Sequence, residues 1–311
     1  MEGKKPLRLR AIVNAAAGSL LTAVLGLQSA SAVTLVETSF WQPALAAFNG
    51  KLYLAFAGTD RQLNVMSSTD GLNFGAPVVI PNNSSQVGPG LAAFNGKLYL
   101  AWAGTDSRHR INYVTSTDGF TWGGQTLFGS EASAGNPALA ASSTQLLIAY
   151  NGVNSAHNLN VACIVCTSLS PGTKNIYPIG SDYGVAITSS NDNFFVAFTR
   201  NVPAKPVVVL SSTAAQPLGF TQQPELGGIS VGPAMGSLNG FVYIGYPTAS
   251  PAAGPLLIQT FQVVNGTTLS RVGGQNISAQ TTENIAIASF NGHLYYAWKA
   301  SDNHLNIAAL F

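Results

Sequence analysis

Four loops of this 311-residue chain repeat one chemical pattern. Aligned on a following Leu/Ile-Asn pair (Asn64, Asn112, Asn160, Asn306), the position three before the asparagine is Arg61, His109, His157 or Asn303. The next is Gln62, Arg110, Asn158 or His304. Each is a planar side chain that donates hydrogen bonds, the equipment for holding sugar hydroxyls. Asp60, Asp106 and Asp302 stand in the same loops and add acceptors, while Trp102, Trp298 and Trp41 offer flat apolar rings for a sugar's C–H face. The bland counterpart is that the loop residues are merely solvated and that the aromatics are core.

Catalytic signatures are missing. The chain has no Gly-x-Ser-x-Gly elbow, no His-Glu-x-x-His, no phosphate-cradling loop and no cysteine placed as a nucleophile. Asp182 and Asp192 flank one strand, but single carboxylates in turns bond their own backbone. His109, His157, His293 and His304 form no i, i+2 or i, i+4 pair, so neither a metal nor a cofactor is expected. Cys163 and Cys166, the only cysteines, make no paired Cys-x-x-Cys zinc site; they form one local bridge or stay as small buried residues.

The charges divide unevenly. Lys4, Lys5, Arg8 and Arg10 precede an apolar run from Ala11 to Leu27, and Ala30-Ser31-Ala32 supplies a small-x-small site, the outline of a signal peptide spanning 1–32. Residues 33–311 then form one exported, secreted domain with 10 Lys+Arg against 11 Asp+Glu. That balance argues against nucleic acid and other polyanions as partners. No apolar run after Leu27 reaches the roughly 20 residues of a membrane span. The expected partner is a carbohydrate or another small neutral ligand.

What positions the loops is an internal repeat. Leu45 to Asp60 returns almost verbatim as Leu91 to Asp106, and an aromatic closing the second apolar run recurs at Phe56, Trp102, Tyr150, Phe198, Tyr246 and Trp298. The intervals are 46, 48, 48, 48 and 52 residues. A period of roughly 40–50 residues, built of short strands, marks a β-propeller with one four-stranded blade per repeat. In the first unit Pro43–Phe48, Lys51–Ala57, Leu63–Ser67 and a run ending about Ile80 read as the four strands, with Asn49-Gly50 and Asp70-Gly71 as turns. Six blades are expected, all-β. The last lacks a fourth strand, which Thr34–Thr38 supplies to close the ring. The Asn-Gly and Asp-Gly turns define one face, and the candidate loops lie on the other.

The third-to-fourth strand turns carry a resemblance. Ser68-Thr-Asp70-Gly71-Leu-Asn-Phe74 and Ser116-Thr-Asp118-Gly119-Phe-Thr-Trp122 resemble the Asp-box of sialidase-like propellers, with one residue fewer between Asp and Gly than the commonest form. In that family the box is a structural hairpin. Sialidase activity would imply three arginines on a carboxylate, a Tyr nucleophile paired with Glu, and an Asp acid. Residues 33–311 hold Arg61, Arg108, Arg110, Arg200 and Arg271, and the glutamates Glu37, Glu131, Glu225 and Glu283 read as lying near connectors rather than inside strands. The sequence thus reads as a lectin-like propeller with repeated weak sites. The alternatives are an exo-acting sialidase-like glycoside hydrolase and a protein-interaction propeller, the latter predicting one broad apolar patch.

Overall fold

The computed structural model describes residues 32–229, 231–248 and 254–310; of the expected leader, 1–32, residues 1–31 lie outside them. Among the described residues there are 25 strands and no helix. After β1 (Val33–Thr38), blade 1 comprises β2 (Ala44–Phe48), β3 (Lys51–Ala57), β4 (Gln62–Ser68) and β5 (Val78–Ser84). Blade 2 adds β6 (Gly90–Phe94), β7 (Lys97–Ala103), β8 (Arg110–Ser116) and β9 (Thr126–Ala132). Blade 3 has β10 (Ala138–Ala141), β11 (Gln145–Asn151), β12 (Asn158–Cys166) and β13 (Lys174–Gly180). Blade 4 has β14 (Val185–Ser190), β15 (Asn193–Thr199), β16 (Pro206–Thr213) and β17 (Gln216–Gln222), plus the short β18 (Leu226–Gly228) beside β16. Blade 5 is β19 (Ala234–Leu238), β20 (Phe241–Pro247), β21 (Gly254–Val264) and β22 (Thr268–Thr281). Blade 6 has only β23 (Ala286–Phe290), β24 (His293–Lys299) and β25 (His304–Ala309) from its own repeat.

β1 completes that last blade antiparallel to β25, with Val33 opposite Ile307. The expected closure is the observed one. Each inner strand touches the next and β23 returns to β2, so six blades form a ring. Local chemistry draws the hairpins: Asn49-Gly50, Asn95-Gly96, Asn239-Gly240 and Asn291-Gly292 all take positive φ at both positions, the backbone a two-residue hairpin needs. Blade 3 has Ser143-Thr144 there instead, and the Asp192 carboxylate of blade 4 steadies it by accepting from the Ser143 amide (2.7 Å) and hydroxyl (3.0 Å).

The core is six separate layers, one between each pair of neighbouring blades. Every layer takes one aromatic from the repeat: Phe56, Trp102, Tyr150, Phe198, Tyr246 and Trp298, none more than 4% exposed. Burying such a ring contributes about 1.5–3 kcal/mol. Trp102 and Trp298 therefore present no face to a ligand. They fasten blade to blade, which corrects the expectation that they stack on sugar. Trp41 is half-buried against the blade 1–2 layer.

Two turns tie blades together from outside. Ser68 Oγ donates to Asp70 Oδ1 (2.7 Å), and that oxygen accepts from the amides of Leu72 and Asn73 (2.9 and 2.8 Å). The Ser116–Asp118 turn repeats this with Phe120 and Thr121. Each presents its Asp carbonyl to a tyrosine of the preceding blade: Tyr295 donates to Asp70 O and Tyr53 to Asp118 O, both at 3.0 Å. A Cβ on Gly119 would lie 2.1 Å from the Tyr53 ring, and φ there is +78°, so glycine is required. Phe74 and Trp122 tuck half-buried against adjoining core layers. In blade 3 this corner instead holds the Cys163–Cys166 disulfide, at the end of β12.

The outer strands differ from expectation. β5 runs to Ser84 rather than ending about Ile80, because the register jumps from Asn64–Val79 to Gln62–Ser84 around a bulge at Asn82, φ +60°. Blade 2 repeats the jump, Asn112–Leu127 to Arg110–Ala132, with Gly129 at φ +57°. A bulge bends a strand and re-aims the side chains beyond it.

Candidate functional site

The recurring loop positions are first of all turn residues. In each of the four loops the residue singled out has positive φ and donates its amide back across the turn: Arg61 to Gly58 O (2.7 Å), His109 to Asp106 O and His157 to Asn154 O (2.9 Å each) and Asn303 to Ala300 O (3.0 Å); Lys205 of blade 4, not among them, does the same to Val202 O (2.9 Å). Asn and His tolerate that conformation better than most side chains, which accounts for much of the pattern. Asp60, Asp106 and Asp302 accept the amides of Gln62, Arg108 and His304 at 2.9, 2.9 and 3.0 Å. The asparagines used for alignment are locks as well: Asn64, Asn112, Asn160 and Asn306 each donate to the carbonyl two residues back.

The candidate residues do not converge on one site. Asp60, Arg61 and Gln62 occupy the blade 1 loop, and Asp302 and His304 the blade 6 loop, where the His304 Nδ1 lies 3.2 Å from Asp302. His157 turns toward blade 4 and pairs with Asp182 through Nδ1 at 2.8 Å. Asp106, His109 and Arg110 of blade 2 and Asn158 of blade 3 border one interblade region. Among the described residues no group of three or more His, Cys, Asp or Glu could hold a metal.

That region, the cleft between blades 2 and 3, is built by the bulge in β9. Past Gly129 the strand carries Glu131 over the edge of blade 3, and Tyr150, 1% exposed, donates its hydroxyl to Glu131 Oε2 in a short hydrogen bond. Lys174, from β13, donates to both carboxylate oxygens at 2.7 Å. Burial first, then the bond to Glu131 and its charge, raise the Tyr150 phenol far above its ordinary value of 10.0. It stays a donor and fixes the carboxylate. The cleft has a volume of about 350 Å³ and is walled by Asn154, Asn158 and Asn160 on one side and by Val153 and Ile176, each about half exposed, as apolar ground. The Asn158 side-chain amide has no hydrogen-bond partner among the described residues. Glu131 thus lies inside a strand, as does Glu37 in β1, contrary to the placement of both near connectors.

No other cleft repeats this set. By strand register the positions equivalent to Glu131 hold Glu37, Asn83, Ile179, Gly227 and Ala279, and the aromatics they face include one other tyrosine, Tyr246, whose hydroxyl accepts from Gln259 Nε2 (2.8 Å). Pairing the residue two before each connector Ser/Thr (Ser39, Ser85, Ser133, Ser181, Thr281) with the aromatic of the next repeat would have found Glu131 in the sequence; the expected loops did not.

The ring axis is built on opposite terms. Three residues after each connector Ser/Thr, or after Ile229 in blade 4, stand Gln42, Gly88, Asn136, Gly184, Gly232 and Asn284. The large members fill the room the glycines leave. Asn284 Oδ1 accepts from the Gly232 amide (2.7 Å) and its Nδ2 reaches Asn136 Oδ1 across the axis (3.5 Å); a Cβ on Gly184 would sit 1.9 Å from that oxygen. Below this lid lies a cavity of about 90 Å³ with Gln42, Asn136, Asn284 and apolar side chains around it, and no charged residue among those lining it.

No family model matches the chain, and no curated protein matches it in sequence. Solved structures do match in shape. A Trypanosoma rangeli sialidase superposes with a TM-score of 0.57 at 10% identity, over 88% of this chain and 55% of the sialidase, so the chain spans about half that enzyme's length. The fungal lectin of Aleuria aurantia, described as a six-bladed propeller that recognises fucose, gives 0.64 at 11% identity over 88% and 92%. A Dyadobacter fermentans protein of unknown function gives 0.64 at 13% over 92% and 99%. By fold the chain is a six-bladed β-propeller, the architecture it shares in shape with that sialidase and that lectin.

In this propeller the five arginines are divided among blades 1, 2, 4 and 5, and Arg200 is paired with Glu225 at 3.4 Å. Asp182 and Asp192 lie at opposite ends of β14, one on each face of the disc; rather than bonding their own backbone as expected, they reach His157 and Ser143 of blade 3. The most exposed apolar residues on outer strands, Val36, Val79, Leu127, Ile176 and Val272, belong to five different blades. They do not gather on a single blade as one broad docking patch would favour.

Proposed function

We propose that the chain is an exported carbohydrate-binding propeller whose principal site is the cleft between blades 2 and 3. The observation that carries this reading is the Tyr150–Glu131–Lys174 set, a carboxylate held rigidly by two donors at the mouth of a sugar-sized, partly apolar hollow. Such a carboxylate accepts from vicinal hydroxyls while Lys174 and Asn158 donate, and Val153 with Ile176 takes the C–H face. The fucose recognition described for the fungal lectin of the same fold supports a sugar ligand. The two Ser-x-Asp-Gly turns, read as Asp-boxes, belong to the scaffold in this view. The remaining loops supply at most weaker contacts, so avidity rests on one good cleft rather than six equal ones.

A hydrolytic reading would have to draw on Tyr150 with Glu131. The raised phenol and the lysine on the carboxylate both oppose a tyrosinate nucleophile. A glycan array with the exported chain, followed by product analysis of every bound glycan, separates the two. Binding without cleavage, lost in Glu131→Gln, is the expected result; cleavage would replace the lectin with a hydrolase, and an array at background would remove both.

A further inference from the structure

Beside the cleft runs a second concavity of about 600 Å³, lined by Ser107, Arg108, His109, Arg110, Gly129 and Ser130. It shares Ser130, Ala132 and Val153 with the Glu131 cleft, so the two form one continuous depression. Its cationic groups are only partly answered. The Arg108 guanidinium has no counter-ion among the described residues. Arg110 Nε is buried without a hydrogen-bond partner and makes only a long ion pair, 3.6 Å, with Asp106 Oδ1. His109 Nδ1 is likewise buried and unpaired. Arg108 is exposed, so the buried atoms without a partner are Arg110 Nε and His109 Nδ1, and native structures rarely leave such atoms idle.

We infer that this groove holds the anionic substituent, a sulfate ester or a carboxylate, of an acidic sugar whose ring occupies the Glu131 cleft. The inference rests on the carbohydrate reading of that cleft and makes its ligand acidic where chain composition suggested a neutral one. Two guanidinium groups match the planar or tetrahedral oxyanion with paired N–H donors, a geometry lysine does not supply. The local balance favours an anion, because Asp106 offsets only one arginine and Lys174 already neutralises Glu131. A single acidic group fits better than a polyanion, since cations elsewhere on the chain are spread over other blades.

The test is an array of matched glycans in neutral, sulfated and uronate-bearing forms, read with the exported chain and with the Arg108→Gln/Arg110→Gln double variant. Alongside it, sodium sulfate is titrated while the ¹H–¹⁵N signals of residues 108–110 are tracked. Acidic forms are expected to bind at least tenfold tighter than their neutral partners, with a gain that shrinks as salt rises. The double variant, matched in melting temperature, should hold acidic and neutral forms equally. The sulfated and uronate arms decide which oxyanion the groove prefers. Equal binding of acidic and neutral forms by the unaltered chain, or a gain that survives in the double variant, overturns the inference and leaves the cleft reading intact. Saturable sulfate shifts at residues 108–110 with no glycan bound would keep the anion groove and sink the carbohydrate reading; no shifts and no glycan would sink both.

Discussion

The axis of the ring and the cleft between blades 2 and 3 are made from the same repeat, and they use it in opposite ways. At the axis each blade contributes an equivalent residue: Gln42 packs over Gly88, while Asn136 and Asn284 interlock with Gly184 and Gly232, and the lid carries no charge. At the cleft one blade departs from its siblings: Glu131 replaces residues as different as Asn83 and Gly227, and faces a tyrosine it can bond. Repetition here marks the scaffold. Singularity marks the place where charged groups are gathered and left reachable.

The comparison can be broken at its strongest point by Trp102→Ala. Emptying one interblade layer should cost about 3–5 kcal/mol in urea denaturation, while protein that still folds keeps its glycan profile. A changed profile at intact fold would make Trp102 a ligand contact and erase the division between scaffold and site. Glu131→Gln should do the reverse: glycan affinity falls at least tenfold, about 1.4 kcal/mol, with stability within about 1 kcal/mol of the parent, since the Glu131–Lys174 pair is only partly buried. Calorimetric titration beside thermal melting reads both. Asn284→Ala should sharpen the contrast by orphaning the Gly232 amide, a loss of about 1–3 kcal/mol with no change in binding.

The smallest effect concerns acid. Bonds from neighbouring side chains and amides hold Asp70 and Asp118 well below the ordinary carboxylate range. A depressed folded pKa means the stabilisation is present above the unfolded value of about 3.9 and is lost as pH falls below it. Melting temperature should therefore drop below about pH 4, and the Asp70→Asn/Asp118→Asn variant should show a shallower drop. An equally steep acid limb in that variant would place the sensitive groups elsewhere.

How far these features could be read from the chain depends on their range. The Leu45–Asp60 and Leu91–Asp106 copies, the Asn-Gly turns and the six aromatics are short-range signals, and they carried the blade count, the first-hairpin register and the closing strand. The proposed site was hidden because its parts come from two blades and meet through a bulge: Glu131 is 19 residues from Tyr150 and 43 from Lys174. A shift of register at Gly129 decides which way the carboxylate points, and nothing in local alternation announces it. The loop pattern has a second physical source, since a left-handed turn residue and a sugar-binding residue draw on the same Asn and His. Arg110 and Asn158 still border the cleft, whereas Arg61, Gln62, Asp60, Asp302, His304 and His157 lie in other loops.

The pairing of β1 with β25 also sets a clock. Thr34 and Asn306 bond across 272 residues of chain, so β1 must wait for β25 to emerge before it has a partner. Until then blade 6 exposes the unpaired edge of β25, the kind of edge to which another chain can add, and closing so long a loop is slow. For a chain that leaves the cell, as proposed, the hazardous interval is thus the one between the arrival of His304–Ala309 and the return of Val33–Thr38 to cover it.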